Sequence, residues 1–286
     1  MVSRKAWTRS LCYTHSMYVG IDVGGTKTLV AVLSDGGEIV EKHKFPTAKD
    51  YDEQLAGLRG AFDSFEQRQF TAGAAGIPGR IDRKHGVSLG SPNVTWANQP
   101  VQADCEKIFG CPFAVENDAN LAGLSEAMLH KEYETVLYFT ISTGIGTGVV
   151  RGQRLDPGFL DMEGGHLVLP YEGTLTDWED FASGRMIYQR YGKPASEIND
   201  ETAWKSIAHN LGLGFFNNIA IVQPDLIVVG GGVGTYFDHY GKYLTAELKQ
   251  YEIPLVPIPP IVGAQRAEEA VIYGCYDLAK QQHGGL

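Results

Sequence analysis

The sequence predicts an α/β fold of two related lobes with a ligand held between them, and three observations carry that prediction. An apolar strand, a turn rich in glycine and threonine, and a second strand occur at 18–33 and again at 135–150, the mark of an internal duplication. Strand and helix patterns alternate through the remainder of the chain. With 286 residues, 43% of them hydrophobic, there is material for one large core or two modest ones.

The elements follow in order. Residues 1–16 carry Arg4, Lys5 and Arg9, no acid, and no apolar stretch of signal or membrane length, so they read as a disordered extension or a misjudged start before Met17. Residues 18–23 are β-rich and end in Gly24-Gly25-Thr26-Lys27-Thr28, after which 29–33 is apolar again: strand, turn, strand. A third strand at 38–45, a helix over 52–65 and an apolar segment at 70–77, closed by Pro78-Gly79, complete one lobe. A short strand at 113–116 leads through Asn117-Asp118 into helical periodicity at 119–130. The second unit opens with a strand at 135–142, turns over 143–148 and resumes at Val149-Val150. A helix at 204–222, a buried strand at 226–229 ending in Gly230-Gly231-Gly232, and a last helix at 268–280 close the chain.

Composition narrows the function. A net charge of −10, from 34 acids against 24 bases, lacks the basic footprint of a nucleic-acid binder, so an anionic ligand here needs backbone amides and a metal ion. The 35 glycines exceed average usage and gather beside apolar runs without a repeat, which suits turns that approach ligands. Four cysteines, at 12, 105, 111 and 275, form neither a C-x-x-C pair nor a metal-ligand spacing, and a reducing, cytosolic compartment is expected.

Glycine-rich strand ends are the main chemical signal. The first turn departs from a P-loop because Thr26 intervenes between Gly25 and Lys27, yet its amides and hydroxyls lie beside Asp22, a carboxylate suited to hydrated magnesium. A plain tight hairpin is the alternative. The second turn, G-x-G-x-G, falls one residue short of a dinucleotide fingerprint and runs into a strand where that motif needs a helix, which weakens hydride chemistry. With Gly230 to Gly232, three such strand ends in one acidic chain point to phosphate binding. Asn117-Asp118 sits between strand and helix, where either side chain can cap the helix. The functional alternative makes Asp118 a general base toward a sugar hydroxyl, with Asn117 bonding a neighbouring hydroxyl. Glu163-Gly164-Gly165-His166 and Glu179 add polar groups suited to vicinal hydroxyls.

Together, Asp22-Val23-Gly24-Gly25-Thr26-Lys27, Pro78-Gly79, Glu116-Asn117-Asp118-Ala119-Asn120, Thr143-Gly144-Ile145-Gly146-Thr147-Gly148, Glu163-Gly164-Gly165-His166 and Ser183-Gly184 resemble the ROK family of sugar kinases and repressors, in the actin/hexokinase/Hsp70 superfamily. The resemblance implies a two-lobed actin-like ATPase (ribonuclease H-like) fold. It divides the chain into a small lobe at 17–115, joined by a returning C-terminal helix at 266–282, and a large lobe at 116–265. It implies ATP and Mg2+ as cofactors and a hexose as substrate. Asp118 becomes the catalytic base. Gly79, Asn93, Asn117, Asp118, Glu163, His166 and Glu179 become sugar ligands. Asp22, holding magnesium through water, is grouped with Gly24, Gly25, Thr26 and Lys27, while Thr143, Gly144, Gly231 and Gly232 face the nucleotide phosphates. The implied reaction takes glucose to glucose 6-phosphate. Fructose, mannose, N-acetylglucosamine or N-acetylmannosamine are alternative acceptors, polyphosphate is an alternative donor, and a non-catalytic sugar sensor is an alternative role. A homodimer is implied too; the cysteine usage and acidic balance add the expectation of a cytoplasmic protein with neither nucleic acid nor membrane as partner.

Two departures stand out. Most family members place a cysteine-rich zinc motif between the residues matching His166 and Glu179; here Pro170, Glu172 and Asp177 occupy the cysteine positions, so no zinc site is expected. Family repressors carry an N-terminal helix-turn-helix, which sixteen residues cannot hold, so an enzyme is expected over a repressor.

Overall fold

The computed structural model describes residues 16–91, 93–266 and 268–284; the extension expected at the N-terminus lies, but for Ser16, outside them. In chain order the strands are β1 (Met17–Val23), β2 (Lys27–Ser34), β3 (Ile39–Pro46), β4 (Ala72–Ile77), β5 (Arg80–Asp82), β6 (Val87–Gly90), β7 (Phe113–Asn117), β8 (Thr135–Ile141), β9 (Ile145–Arg151), β10 (Arg154–Leu155), β11 (Val168–Tyr171), β12 (Thr174–Asp177), β13 (Leu226–Gly230) and β14 (Ile261–Gly263). The helices are α1 (Tyr51–Ser64), α2 (Val101–Phe109), α3 (Asp118–Ala127), α4 (Glu179–Ala182), α5 (Gly184–Tyr191), α6 (Glu201–Val222), α7 (Gly231–Gly234), α8 (Phe237–Lys249) and α9 (Ala270–His283).

The strands build two five-stranded sheets of one connectivity, β3-β2-β1-β4-β7 and β10-β9-β8-β13-β14. In each, the first three strands run antiparallel and the last two pair parallel to the first. The alternation of side chains along a strand explains the layering. On β1, Val19, Ile21 and Val23 join α1 and α2 in one core, while Tyr18 faces the opposite way. On β8, Leu137, Phe139 and Ile141 pack toward α6 and α8, while Val136 and Tyr138 share the core that contains Tyr18. That shared core holds α3 and α9, which pack on each other; α9 rests on β1 and β4, and α3 on β8 and β9. The molecule is therefore layered as helices, sheet, helix pair, sheet, helices.

Close approach in the middle layer depends on glycine. A Cβ on Gly274 of α9 would collide with the carbonyl oxygen of Leu121 on α3, and one on Gly148 of β9 would stand 2.7 Å from the carbonyl oxygen of Ala119. This corrects the sequence reading of the second turn: β9 resumes at Ile145, so Gly146 and Gly148 lie within a strand, where they make room for α3. Helix α9 begins at Ala270, later than expected, and α3 ends at Ala127, earlier than the periodicity suggested. Helix α8 has no counterpart in the sequence-based expectation, since Gly241, packed beneath the Phe237 ring, interrupts its pattern. Among the described residues Cys105, Cys111 and Cys275 are buried free thiols, and no helix is long and apolar enough to cross a membrane.

Candidate active site

The corner between β7 and α3 is fixed by Asn117. Its Oδ1 accepts from the Ala119 and Asn120 amides, capping α3, and its Nδ2 donates to the Gly79 carbonyl at 3.1 Å. Of the two residues able to cap, Asn117 does so, and Asp118 becomes the first residue of the helix, with Oδ1 accepting from the Ala119 amide at 2.9 Å.

Asp118 opens on a cavity of about 130 Å³ between the sheets, lined also by Asp22, Thr140, Gly231, Glu268 and Val271. Asp22 reaches it from the inward face of β1, and Thr140 occupies the matching place on β8. Gly231 follows β13 with φ of 79°, and a side chain there would meet Thr140 Oγ1 and the Ile141 backbone, so glycine is required. Burial pushes the Asp22 carboxyl up to about 7, the neighbouring Asp118 adds to the shift, and Lys44 opposes it. Burial likewise raises Asp118, against the stabilising effect of backbone amides. Asp22, a hard-oxygen group short of positive charge, is chemically suited to a hydrated magnesium, the ion implied by the resemblance.

Other expected residues lie outside that lining. On the side of the first sheet, Gly79 has φ of 89° and receives the Asn117 amide, and Asn93 lies beside the tip of the first turn, where a Cβ on Gly25 would be 3.4 Å from its carbonyl oxygen. On the side of the second sheet stand Glu163, His166 and Glu179. Glu163 is raised chiefly by burial, while the His166 imidazole lowers it. His166 Nδ1 lies 2.9 Å from Asp177 Oδ2, a bond that raises the imidazole above its usual value. Glu179 Oε2 accepts from the Ile145 amide at 2.8 Å, and its carboxylate fills the space a Cβ on Gly144 would need. Thus Asp22, Asp118 and Gly231 share one cavity, whereas Gly24, Gly25, Thr26, Lys27, Thr143, Gly144 and Gly232 fall outside its lining. Of these, Gly25, Thr26, Lys27, Thr143 and Gly232 are solvent-exposed.

Sequence reasoning gave no role to the network beneath the corner. The buried Glu116 carboxylate accepts two bonds of 2.6 Å from the Arg83 guanidinium, one of 2.7 Å from the Asn117 amide and one of 2.9 Å from Asn120 Nδ2. Arg83 continues to Asp161 at 2.6 Å and, with Asn120, to the Leu160 carbonyl, tying this corner to the segment that carries Glu163. A signal was present: a glutamate in an apolar strand needs a cation and donors. Thr140 carries only a partial signal, since strand alternation puts it on one face of β8 with Val136 and Tyr138.

Comparison with known proteins follows the same lines. The ROK family profile matches residues 18–282. A glucokinase of Streptomyces coelicolor is 26% identical over 92% of this chain and 97% of its own. An N-acetyl-D-glucosamine kinase of Escherichia coli O157:H7 is 29% identical over 90% and 97%. Among solved structures, the ROK hexokinase of Thermus thermophilus superposes with a TM-score of 0.76 at 28% identity, covering 94% of this chain and all of that one. The architecture is that of the actin-like ATPase fold.

Proposed function

The chain belongs to the ROK family, and on that premise we propose that it is an ATP-dependent hexose kinase acting on the primary hydroxyl of its sugar, with glucose as the first acceptor to test. The observation that carries the reading is Asp118: a carboxylate at the start of a helix, held by a capped corner, in a cavity between two sheets and opposite Asp22 and Gly231. Phosphoryl transfer asks a protein for positioning and charge stabilisation above all. Asp118 accepts the hydroxyl proton as the sugar oxygen bonds to the γ-phosphorus and the bond from that phosphorus to the bridging oxygen breaks, releasing ADP; its raised pKa brings the base closer to working pH. Asn117, Gly79 and Asn93 hold one side of the sugar, and Glu163, His166 and Glu179 the other. Gly231 and Gly232, with Thr143 and Gly144, offer backbone amides and a hydroxyl to phosphate, and Gly24 to Lys27 cover them from the first sheet. Magnesium, when bound, neutralises phosphate charge; Asp22, through water, is the residue to hold it.

The named relatives divide between glucose and N-acetylglucosamine, so the deciding experiment is an ADP-release assay with magnesium-ATP across glucose, fructose, mannose, N-acetylglucosamine and N-acetylmannosamine. Sugar-dependent turnover lost in Asp118→Ala supports the reading. Sugar binding without turnover in the native chain replaces it with a sensor. The same reading includes a homodimer, to be checked by sedimentation.

A further inference from the structure

We propose that Asp177 is a positioning residue that sets the acceptor-facing wall of the site without a metal, one carboxylate oxygen orienting His166 and the other fixing Glu179. The inference rests on the reading above, in which His166 and Glu179 face the sugar. Asp177 Oδ2 lies 2.9 Å from His166 Nδ1, and Oδ1 accepts the Glu179 amide at 2.9 Å. With Nδ1 engaged, the free imidazole nitrogen is Nε2, and the ring plane is set by the carboxylate. Glu179 is fixed twice, through its amide by Asp177 and through Oε2 by the Ile145 amide. The chain of contacts therefore runs from His166 to the turn at Gly144.

Backbone register supplies the distance between His166 and Asp177. Asp177 pairs with Val168 across the β11–β12 hairpin, two residues beyond His166, and the ladder continues through Leu169↔Thr176 and Pro170↔Leu175 to Tyr171↔Thr174. The hairpin is pinned at its far end: the Tyr171 ring stacks on Phe181 at 4.1 Å and 5°, and its hydroxyl accepts from Arg190 at 2.6 Å. A zinc of the kind most family members hold in this loop does not fit, in keeping with the departure in sequence. Pro170 has no ligating side-chain atom, and Glu172 is exposed at the hairpin tip with φ of 48°. Asp177 has both oxygens engaged, and among the described residues no three His, Cys, Asp or Glu groups are placed to hold a metal. A hydrogen-bonded ladder, an aromatic stack and one carboxylate do the holding.

The test compares Asp177→Asn and Asp177→Ala with the native chain by steady-state kinetics for hexose and for ATP, by 15N NMR of the His166 ring, and by metal analysis of the purified protein. Asparagine keeps an acceptor for the Glu179 amide but loses the charge facing His166. The expected result for Asp177→Asn is a hexose KM raised on the order of 10-fold, the worth of a hydrogen bond to a charged group, with the ATP KM within about twofold. The His166 spectrum shifts from one Nδ1-bonded form to a tautomer mixture, and native protein carries no stoichiometric zinc. An unchanged hexose KM, an unchanged ring spectrum or one zinc per chain would overturn the proposal. Should Asp177→Ala fail to fold, the asparagine variant and the native ring spectrum still decide. If the native chain turns over no sugar, the kinase reading fails by itself, while the NMR and metal measurements continue to judge Asp177.

Discussion

Glu116→Gln tests whether the network beneath the β7–α3 corner holds the base in place. The native carboxylate is 5% exposed and satisfies four donors, two of them from an Arg83 side chain that is 23% exposed. The amide keeps one acceptor oxygen and turns an NH2 group toward the guanidinium, so at least one bond is lost and the charge pair with it. Removing one partner of a buried pair costs about 3–5 kcal/mol. Arg83 retains Asp161 and the Leu160 carbonyl, which places the expected loss at the lower end, about 3 kcal/mol. For a chain of this size that is a fall in Tm of about 4–8 °C, read by circular dichroism. Because the Asn117 amide loses an anionic partner, kcat is expected to drop on the order of 10-fold with little change in the ATP KM. The cycle with Arg83→Met should show a coupling of about 1–3 kcal/mol. A Tm and kcat both equal to the native values, or additive effects in the cycle, would refute the idea that this corner is clamped.

Other outcomes are expected from the same geometry. Asp118→Asn should lower turnover on the order of 10²-fold to 10⁴-fold while leaving the Tm nearly unchanged; near-normal turnover removes Asp118 from the role of base. Gly274→Ala forces a methyl group against the Leu121 carbonyl where α3 and α9 meet and should cost about 1–3 kcal/mol in urea denaturation; a neutral result means the helices can separate there. For pH, Asp22 rises from 3.8 to about 7 on folding, so the folded state holds its proton over an interval where the unfolded chain has released it. Stability is then fullest below about 4 and falls as pH rises toward 7. Asp277, pushed up to about 7 by burial, acts in the same direction. Melts across this range should show a shallower slope in Asp22→Asn than in the native chain, and a shallower one again when magnesium-nucleotide is present. A native slope of opposite sign contradicts the shift.

Much of the fold was legible because it is written twice. The strand, turn and strand at the start of each sheet stood out by apolar runs and glycine, and Asn117-Asp118 stood out as a polar pair between strand and helix. The short hairpins β5–β6 and β11–β12 carry too few residues for a period to emerge. The placement of Asp22 beside Asp118 is a long-range fact, set by two sheets sandwiching α3 and α9, and no local pattern encodes it. Arg83 was hidden for a related reason: its partners come from β7, α3 and the segment at 160–161, and only the solitary acid in β7 advertised that a partner must exist. The Asp177 bridge depends on hairpin register, which a shift of one residue would abolish.

The repeated connectivity also gives the cleft an electrical direction. Asp22 and Thr140 are each the penultimate residue of the leading strand, and each lies opposite a glycine of its parallel neighbour, Gly76 and Gly230. Identical halves would set one carboxylate facing another, hostile to any phosphate chain. With a hydroxyl in one half and a carboxylate in the other, the acid of these matched positions stands on the first sheet alone, which spares the second sheet one source of repulsion toward a phosphate. Thr140→Asp would restore the symmetry and should exclude nucleotide from the site.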